Sequence, residues 1–398
     1  MTATRTSGRG RRTRVVAAAV AGIAALALAG CGNGLGSGKS ASGGNGGDKG
    51  PILLGMAAPT SGSSSAFGPY MANGARLAIA EINAKGGVLG RRLALDVQDD
   101  ACDPQTAVAA ANKLVSARIV ASIGGYCSGA TLPTLSVFAR ANVPMVIPAA
   151  NSNDLVRAHK KNVFLINGTG TQQSAAAVKW IAKVGATRVA LMNDNTSYSK
   201  DIADVTEKDL QGNGIQVVAN ESVTAGESDY SANVASVLGK KPDFVYWTGY
   251  YQEGGLIIRQ LRQAGYTGHI MVADGAVDQH LITIAGAAQA EGVYATMTQT
   301  PETVPGAAAW SQRYRDAFHT DPGPYSTQAY DAVRVVAEAI RKAGSTDGDA
   351  IVQALEGIDG LQLFSGPLKF TPEHTLSTGG FLILSVQHGT FKLKDRLL

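Results

Sequence analysis

The stretch Ile52-Leu53-Leu54-Gly55-Met56-Ala57 is followed by Pro69-Tyr70-Met71-Ala72-Asn73-Gly74-Ala75-Arg76-Leu77-Ala78-Ile79-Ala80-Glu81-Ile82-Asn83. The first run is continuously apolar, as a strand buried on both faces must be. The second places Met71, Ala75, Ala78, Ile79 and Ile82 at helical spacing and stops at Gly86-Gly87. A buried strand leading into an amphipathic helix is the unit of a parallel sheet covered by helices.

The unit repeats. Leu93, Leu95 and Val97 alternate as a strand, and a helix opens at Asp103-Pro104 with Val108, Ala111, Leu114 and Val115 on one face. Pro104 sits at a tolerated first-turn position. Ile119–Ile123, Pro144–Ile147 and Phe164–Ile166 read as strands, with a helix around Leu132–Ala141. A second series starts near Thr171, with helices at Gln173–Val184, Ser199–Gln211 and Gly255–Ala264. Its strands are Arg188–Met192, Gln216–Asn220, Phe244–Trp247, Ile270–Val272 and Gly292–Thr296. Helices Ala307–Phe318, Ser326–Ala343 and Asp349–Glu356 follow, and Phe381–Val386 with Thr390–Leu393 read as a hairpin around His388-Gly389. The expected fold is α/β, with two doubly wound parallel-sheet lobes. Ligands in such folds bind beyond the carboxyl ends of the strands.

Ahead of the first strand lies a different kind of sequence. Arg5, Arg9, Arg11, Arg12 and Arg14 precede an uncharged Ala-rich run from Val15 to Ala29, the pattern of a secretory signal. Leu28-Ala29-Gly30-Cys31 resembles the bacterial lipobox, which implies lipidation of Cys31 and anchoring to the outer face of the cell membrane. Each buried methylene of such an anchor contributes about 0.8 kcal/mol. Residues 32–50 are Gly, Ser and Asn with little else, a flexible tether. Gly36-Ser37-Gly38-Lys39-Ser40 imitates a phosphate loop, but Asn33 stands where its first glycine belongs and no strand precedes it.

The formal charge of +4 comes from 35 basic and 31 acidic residues. The five leader arginines account for the excess, leaving 30 basic against 31 acidic, so nothing points to nucleic acid. The remaining ~350 residues exceed what one core usually serves. With Cys31 assigned to the anchor, Cys102 and Cys127 remain as a candidate pair in an oxidising compartment, with too few His and Cys nearby for a metal site. No HExxH helix or dinucleotide fingerprint occurs, and in Gly125-Tyr126-Cys127-Ser128-Gly129 a cysteine occupies the nucleophile position of a hydrolase elbow. The six histidines are scattered and read as surface or loop residues. No catalytic residue, metal or cofactor is expected.

Several segments, in order, resemble the bacterial leucine/isoleucine/valine-binding proteins. They are Asn73-Gly74-Ala75-Arg76, Ile82-Asn83-Ala84-Lys85-Gly86-Gly87, Asp99-Asp100-Ala101-Cys102-Asp103-Pro104, Thr224-Ala225-Gly226-Glu227, Phe244-Val245-Tyr246, Gly249-Tyr250-Tyr251 and Asp321-Pro322-Gly323-Pro324-Tyr325. The resemblance implies a type I solute-binding component of an ABC importer, a monomer whose lobes close on an amino acid and deliver it to a permease and ATPase. It implies a leader over 1–30 and anchor and tether over 31–50. The N-terminal lobe is expected from 51–169 plus 298–376, the C-terminal lobe from 170–297 plus 377–398. It also implies a Cys102–Cys127 disulfide.

Ligand positions carry over one at a time. Ser128 matches the serine that binds the α-carboxylate, although read alone it is a plain N-cap. Ala149 matches a position whose carbonyl receives the ammonium. Asn151 stands where the family has threonine, and Asp274 where it has glutamate. Read alone, these are loop filler and a solvated strand-end acid. Tyr250 matches the tyrosine of the opposite lobe, with Gly249 before it permitting close backbone approach. Tyr198, Tyr325 and Phe67 match aromatic positions beside the ligand. All four aromatics are expected on loops after strands, lining an apolar side-chain pocket. Asn151 and Asp274 depart from the pattern and leave open a short amide, a urea-like compound or an aromatic acid, or a sensor that presents its ligand to a receptor.

Overall fold

The computed structural model describes residues 50–377 and 380–397. The leader, Cys31 and the tether up to residue 49 lie outside the described residues. The chain runs β1 (Ile52–Ala58), α1 (Phe67–Ala84), β2 (Leu93–Asp99), α2 (Pro104–Ser116), β3 (Ala121–Ser122), α3 (Ser128–Arg140), β4 (Met145–Ile147), α4 (Asn153–Arg157) and β5 (Val163–Leu165). It continues with α5 (Gly170–Lys183), β6 (Arg188–Asn193), α6 (Ser197–Gly212), β7 (Gln216–Ser222), α7 (Ser231–Gly239), β8 (Phe244–Trp247), α8 (Tyr251–Gln263) and β9 (His269–Val272). A 3-10 turn (Asp274–Ala276) leads to α9 (Gln279–Ala285), α10 (Ala287–Ala290) and β10 (Tyr294–Met297). Last come α11 (Ala308–Phe318), α12 (Ser326–Ala343), α13 (Gly348–Glu356), β11 (Asp359–Leu363), β12 (Gly366–Lys369), β13 (Leu382–Gln387) and β14 (Thr390–Asp395).

Two sheets organise these elements. One is five-stranded and parallel, in the order β2-β1-β3-β4-β5. The other runs β14-β13-β10-β9-β8-β6-β7, parallel from β10 to β7, with β13 and β14 added antiparallel at one edge. Each lobe therefore has a point where strand order reverses, at β1/β3 in the first and β6/β8 in the second. Chain leaving such strands turns to opposite faces of the sheet and opens a crevice at the carboxyl ends.

Local chemistry fixes the helix starts. Asp103 caps α2 by accepting the Thr106 N–H at 2.7 Å, with Pro104 as first helical residue. Thr169 and Gln172 form a reciprocal capping box at α5, where the chain passes between the sheets. Helix α12 packs on α1 so closely that a Cβ at Gly74 would lie 2.0 Å from the Ser326 carbonyl oxygen. That contact explains the break in the apolar face of α1.

The elements depart from expectation in two places. Ile119–Ile123 contributes only Ala121–Ser122 as strand, because Arg118 turns through left-handed backbone at φ 61° just before it. Pairing nevertheless extends further, since Val120 and Ile123 donate to Leu53 and Gly55. The expected hairpin of Phe381 to Leu393 forms as β13 and β14 and extends the second sheet through β10. Helices α4, α7, α9 and α10 and the β11–β12 hairpin are not among the expected elements; α7 buries only Val234 and Val237, too few to set a period. His374 lies on the loop between β12 and β13, partly covered, with its ring stacked on Phe164 at 4.1 Å.

Candidate functional site

Chain from both sheets converges on Asp274, at the head of the 3-10 turn after β9. Asp274 is 1% exposed, and four side-chain donors reach its carboxylate. Oδ1 accepts the Tyr198 hydroxyl at 2.6 Å and Gln173 Nε2 at 2.9 Å. Oδ2 accepts the Tyr325 hydroxyl at 2.6 Å and Asn151 Nδ2 at 3.3 Å. Burial raises its pKa above the usual carboxylate value, and these donors pull the other way. The tyrosines that face it, Tyr198 and Tyr325, are raised well above 10, chiefly by burial and then by the Asp274 charge. They are neutral donors at every physiological pH.

Asn151 joins this acidic pole to Ser128. Its Nδ2 also donates to Gln173 Oε1 at 2.8 Å, so its Oδ1 points elsewhere and is buried without a protein partner. The Asn151 and Ser152 backbone N–H groups donate to Ser128 Oγ at 3.3 and 3.2 Å. Ser128 is therefore not an N-cap. It is the first residue of α3, whose cap position, Cys127, makes no side-chain capping bond. With two N–H groups on its oxygen, the Ser128 hydroxyl proton is left to donate outward, beside the positive end of a helix.

The remaining expected residues fall around this pair. The Ala149 carbonyl already accepts Asn167 Nδ2 at 2.6 Å, leaving one lone pair. Phe67, Tyr250 and Tyr325 surround the site, and of the four aromatics only Tyr250 sits on a loop directly after a strand, β8. Phe67 opens α1, Tyr198 lies in the first turn of α6, and Tyr250 and Tyr325 are the cap residues of α8 and α12. Tyr325 lies between two helices. The close approach at Gly249 is made by Trp247, whose Cζ2 would lie 2.3 Å from an added Cβ. Cys102 and Cys127 are disulfide-bonded, with Cα atoms 5.4 Å apart.

Two residues escaped the sequence reading. Gln173 bridges Asn151, Asp274 and Thr296, but one turn into α5 it looks like any helix-surface glutamine. Tyr126 stacks on Phe67 with ring centroids 4.3 Å apart and donates its hydroxyl to the Gly275 carbonyl at 3.2 Å. Its position immediately before Cys127-Ser128 was the available signal. Among the described residues no three His, Cys, Asp or Glu side chains are grouped to hold a metal, and no helix is long and apolar enough to cross a membrane.

Two α/β lobes, with donors and a buried carboxylate gathered between the ends of their strands, define a solute-binding class of protein. The chain belongs to the periplasmic binding protein family, whose profile matches residues 51–390. It is 35% identical over 343 residues to the Leu/Ile/Val-binding protein BraC3 of Rhizobium johnstonii, covering 85% of this chain and 92% of that one. It is 32% identical over 333 residues to a leucine-, isoleucine-, valine-, threonine- and alanine-binding protein of Pseudomonas aeruginosa, covering 83% and 89%. The fold matches a leucine-binding protein LivK of Thermotoga maritima at TM-score 0.81 and 28% identity, over 86% of this chain and 98% of the other. It matches LivJ of Streptococcus pneumoniae in complex with isoleucine at TM-score 0.80 and 27% identity, over 87% and 99%. These are type I periplasmic binding proteins, as the sequence resemblance implied.

Proposed function

We propose that this protein captures a free aliphatic amino acid by lobe closure and delivers it to an ABC importer, without catalysing a reaction. The observation that carries this reading is the Ser128–Asn151–Asp274 relay. It sets the buried Ser128 hydroxyl and a helix N-terminus beside a buried carboxylate, one pole for each end of a zwitterion. The unpartnered Asn151 Oδ1 and the second lone pair of Ala149 O add acceptors for an ammonium. Tyr250, Tyr325 and Phe67 supply an aromatic, largely apolar wall beside these poles. Relatives named for leucine, isoleucine and valine support a branched-chain ligand.

Closure stabilises the bound form only through contacts made to both lobes at once. Ser128 and Asn151 follow β3 and β4 of the first sheet, whereas Tyr198, Tyr250 and Asp274 follow strands of the second. Lipid anchoring at Cys31 on the outer face of the cell membrane completes the reading, with the lobes divided as 51–169 plus 298–376 and 170–297 plus 377–398.

A thermal-shift screen across the amino acids, short amides and aromatic acids tests the function. A true ligand at 100 times its Kd adds about 2.7 kcal/mol of stability. Stabilisation by amides alone would replace the amino-acid reading. Retention of a Cys31→Ser variant on membranes would remove the anchor.

A further inference from the structure

We propose that the first lobe holds one ordered water between Asp100 and Ser122, a fixed part of the fold that solvates the Asp100 carboxylate. β3 ends at Ser122, and the chain leaves it through Gly124-Gly125 on the way to α3. A cavity of about 10 Å³ lies there, with Asp100, Ser122, Thr131, Phe138 and Met145 in its wall, all of them buried. Gly124 and Gly125 form another part of the wall and have no side chains to fill it. The space matches a single water, which needs roughly 10–15 Å³, and admits nothing larger.

Size alone admits a water; the polar atoms call for one. Ser122 is 1% exposed, and its Oγ has no hydrogen-bond partner. Asp100 is equally buried, and its carboxyl accepts one hydrogen bond among the described residues, from the Cys102 N–H to Oδ1 at 2.9 Å. The two groups line one cavity without reaching each other. A buried hydroxyl and a buried carboxylate left in this condition are both costly. Thr131 gives its hydroxyl proton to the Cys127 carbonyl at 2.9 Å, so its oxygen keeps lone pairs. A water can therefore accept the Ser122 proton and donate to Asp100 and Thr131, three bonds being usual for a buried water. The consequence reaches α3. Asp100 holds the Cys102 N–H across a left-handed turn, φ 48° at Ala101 and 59° at Cys102, and Cys102 is bonded to Cys127, the cap residue of that helix.

A high-resolution crystal structure of the purified full chain above pH 7 is the first test. One density peak should lie about 2.7–3.2 Å from both Ser122 Oγ and an Asp100 carboxylate oxygen. The second test is Ser122→Thr, which keeps the hydroxyl and adds a methyl group that takes the place of the water. Asp100, pushed up to about 6 by burial, then loses a donor to its ionised form, and its pKa rises further. The fall in urea stability that accompanies deprotonation of Asp100 should extend to higher pH by about one unit, a tenfold change in proton affinity. Adding Asp100→Asn should abolish that extension. A cavity without density in the unaltered protein overturns the proposal, whether or not Ser122→Thr folds. An unshifted pH dependence in folded Ser122→Thr, or a shift that survives Asp100→Asn, overturns it as well.

Discussion

Tyr325 donates its hydroxyl to Asp274 Oδ2 at 2.6 Å from left-handed backbone at φ 62°. Tyr325 caps α12, which packs on α1 of the first lobe, whereas Asp274 follows β9 of the second. The bond thus crosses between lobes, and its donor sits in a conformation that costs a non-glycine residue about 1–3 kcal/mol. Such strain persists only where the surroundings over-determine it. Tyr325→Phe keeps the backbone and ring but removes a donor to a charged acceptor, a bond of about 1.5–3 kcal/mol. Amino-acid affinity should fall about tenfold or more by calorimetry, with far-UV circular dichroism unchanged.

Asp274 itself should matter more. Asp274→Ala strands a ligand ammonium in a buried site and should weaken amino-acid binding by about 2 kcal/mol or more. Unchanged affinity in that variant would remove Asp274 from the ligand site. The pH dependence has a definite sign. Burial raises the Asp274 pKa, so acidification protonates it earlier than an exposed aspartate, and the neutral acid no longer attracts an ammonium. Affinity should therefore decline as pH is lowered toward that raised value, in a range above 3.8. Asp274→Asn should bind weakly at every pH.

What the sequence made legible follows from how local the determinants are. Phe244–Trp247 and Ser326–Ala343 were read to the residue, because an unbroken buried strand and a long amphipathic helix announce themselves in their own composition. Ser128, Asn151 and Asp274 were found through a family resemblance, although nothing local showed that Asn151 would join the other two. That link depends on how the chain crosses between sheets at Thr169-Gly170. Gln173 was illegible for the same reason. Tyr126 was passed over because its direction is set by Gly125 at φ 112° and by a partner, Gly275, 149 residues away.

Asp201 should act as a clasp between α4 and α6. Its side chain is nearly buried, and Oδ2 accepts both Asn153 N and Nδ2, at 2.8 and 2.9 Å. Oδ1 accepts Arg157 Nη2 at 2.9 Å, a bond weakened by the exposure of Arg157. Helix α4 follows β4 of one sheet and α6 follows β6 of the other, so these bonds tie the lobes beside the crossover. Asp201→Ala leaves buried donors unmatched, at about 1–3 kcal/mol. Urea unfolding should show that loss, and every ligand should weaken by a common factor. A change in ligand order would mean that Asp201 reaches the ligand.

The Cys102–Cys127 bond spans a sequence separation of 25 residues, closing a loop that includes α2 and ends just before Ser128. Replacing both cysteines by serine releases that constraint on the unfolded chain and should lower stability by about 3 kcal/mol. Because the bond also holds the base of Tyr126, ligand affinity should fall beyond what the lower melting temperature accounts for. Calorimetry well below the melting transition separates the two effects.

Adjacent aspartates at the end of β2 should give stability opposite pH dependences. At Asp99, burial opposes ionisation but is outweighed by the Ser61 hydroxyl and the Thr60, Ala101 and Ser61 N–H groups, which hold its pKa near 2. Its contribution is present above the usual 3.8 and is lost as pH falls toward 2. Asp100 is raised to about 6 by burial, with the Cys102 N–H opposing. Between pH 4 and 6 the folded protein thus holds a proton that the unfolded chain has lost, and stability falls as pH rises through that window, by about 3 kcal/mol. Asp331, raised to about 6 by burial against the pull of Arg334, adds a second fall of the same sign. Asp100→Asn keeps an acceptor for Cys102 N–H and removes the titration. Urea unfolding at pH 4, 5, 6 and 7 should show a smaller decline in that variant than in the wild type, and an unaltered decline would place the titrating groups elsewhere.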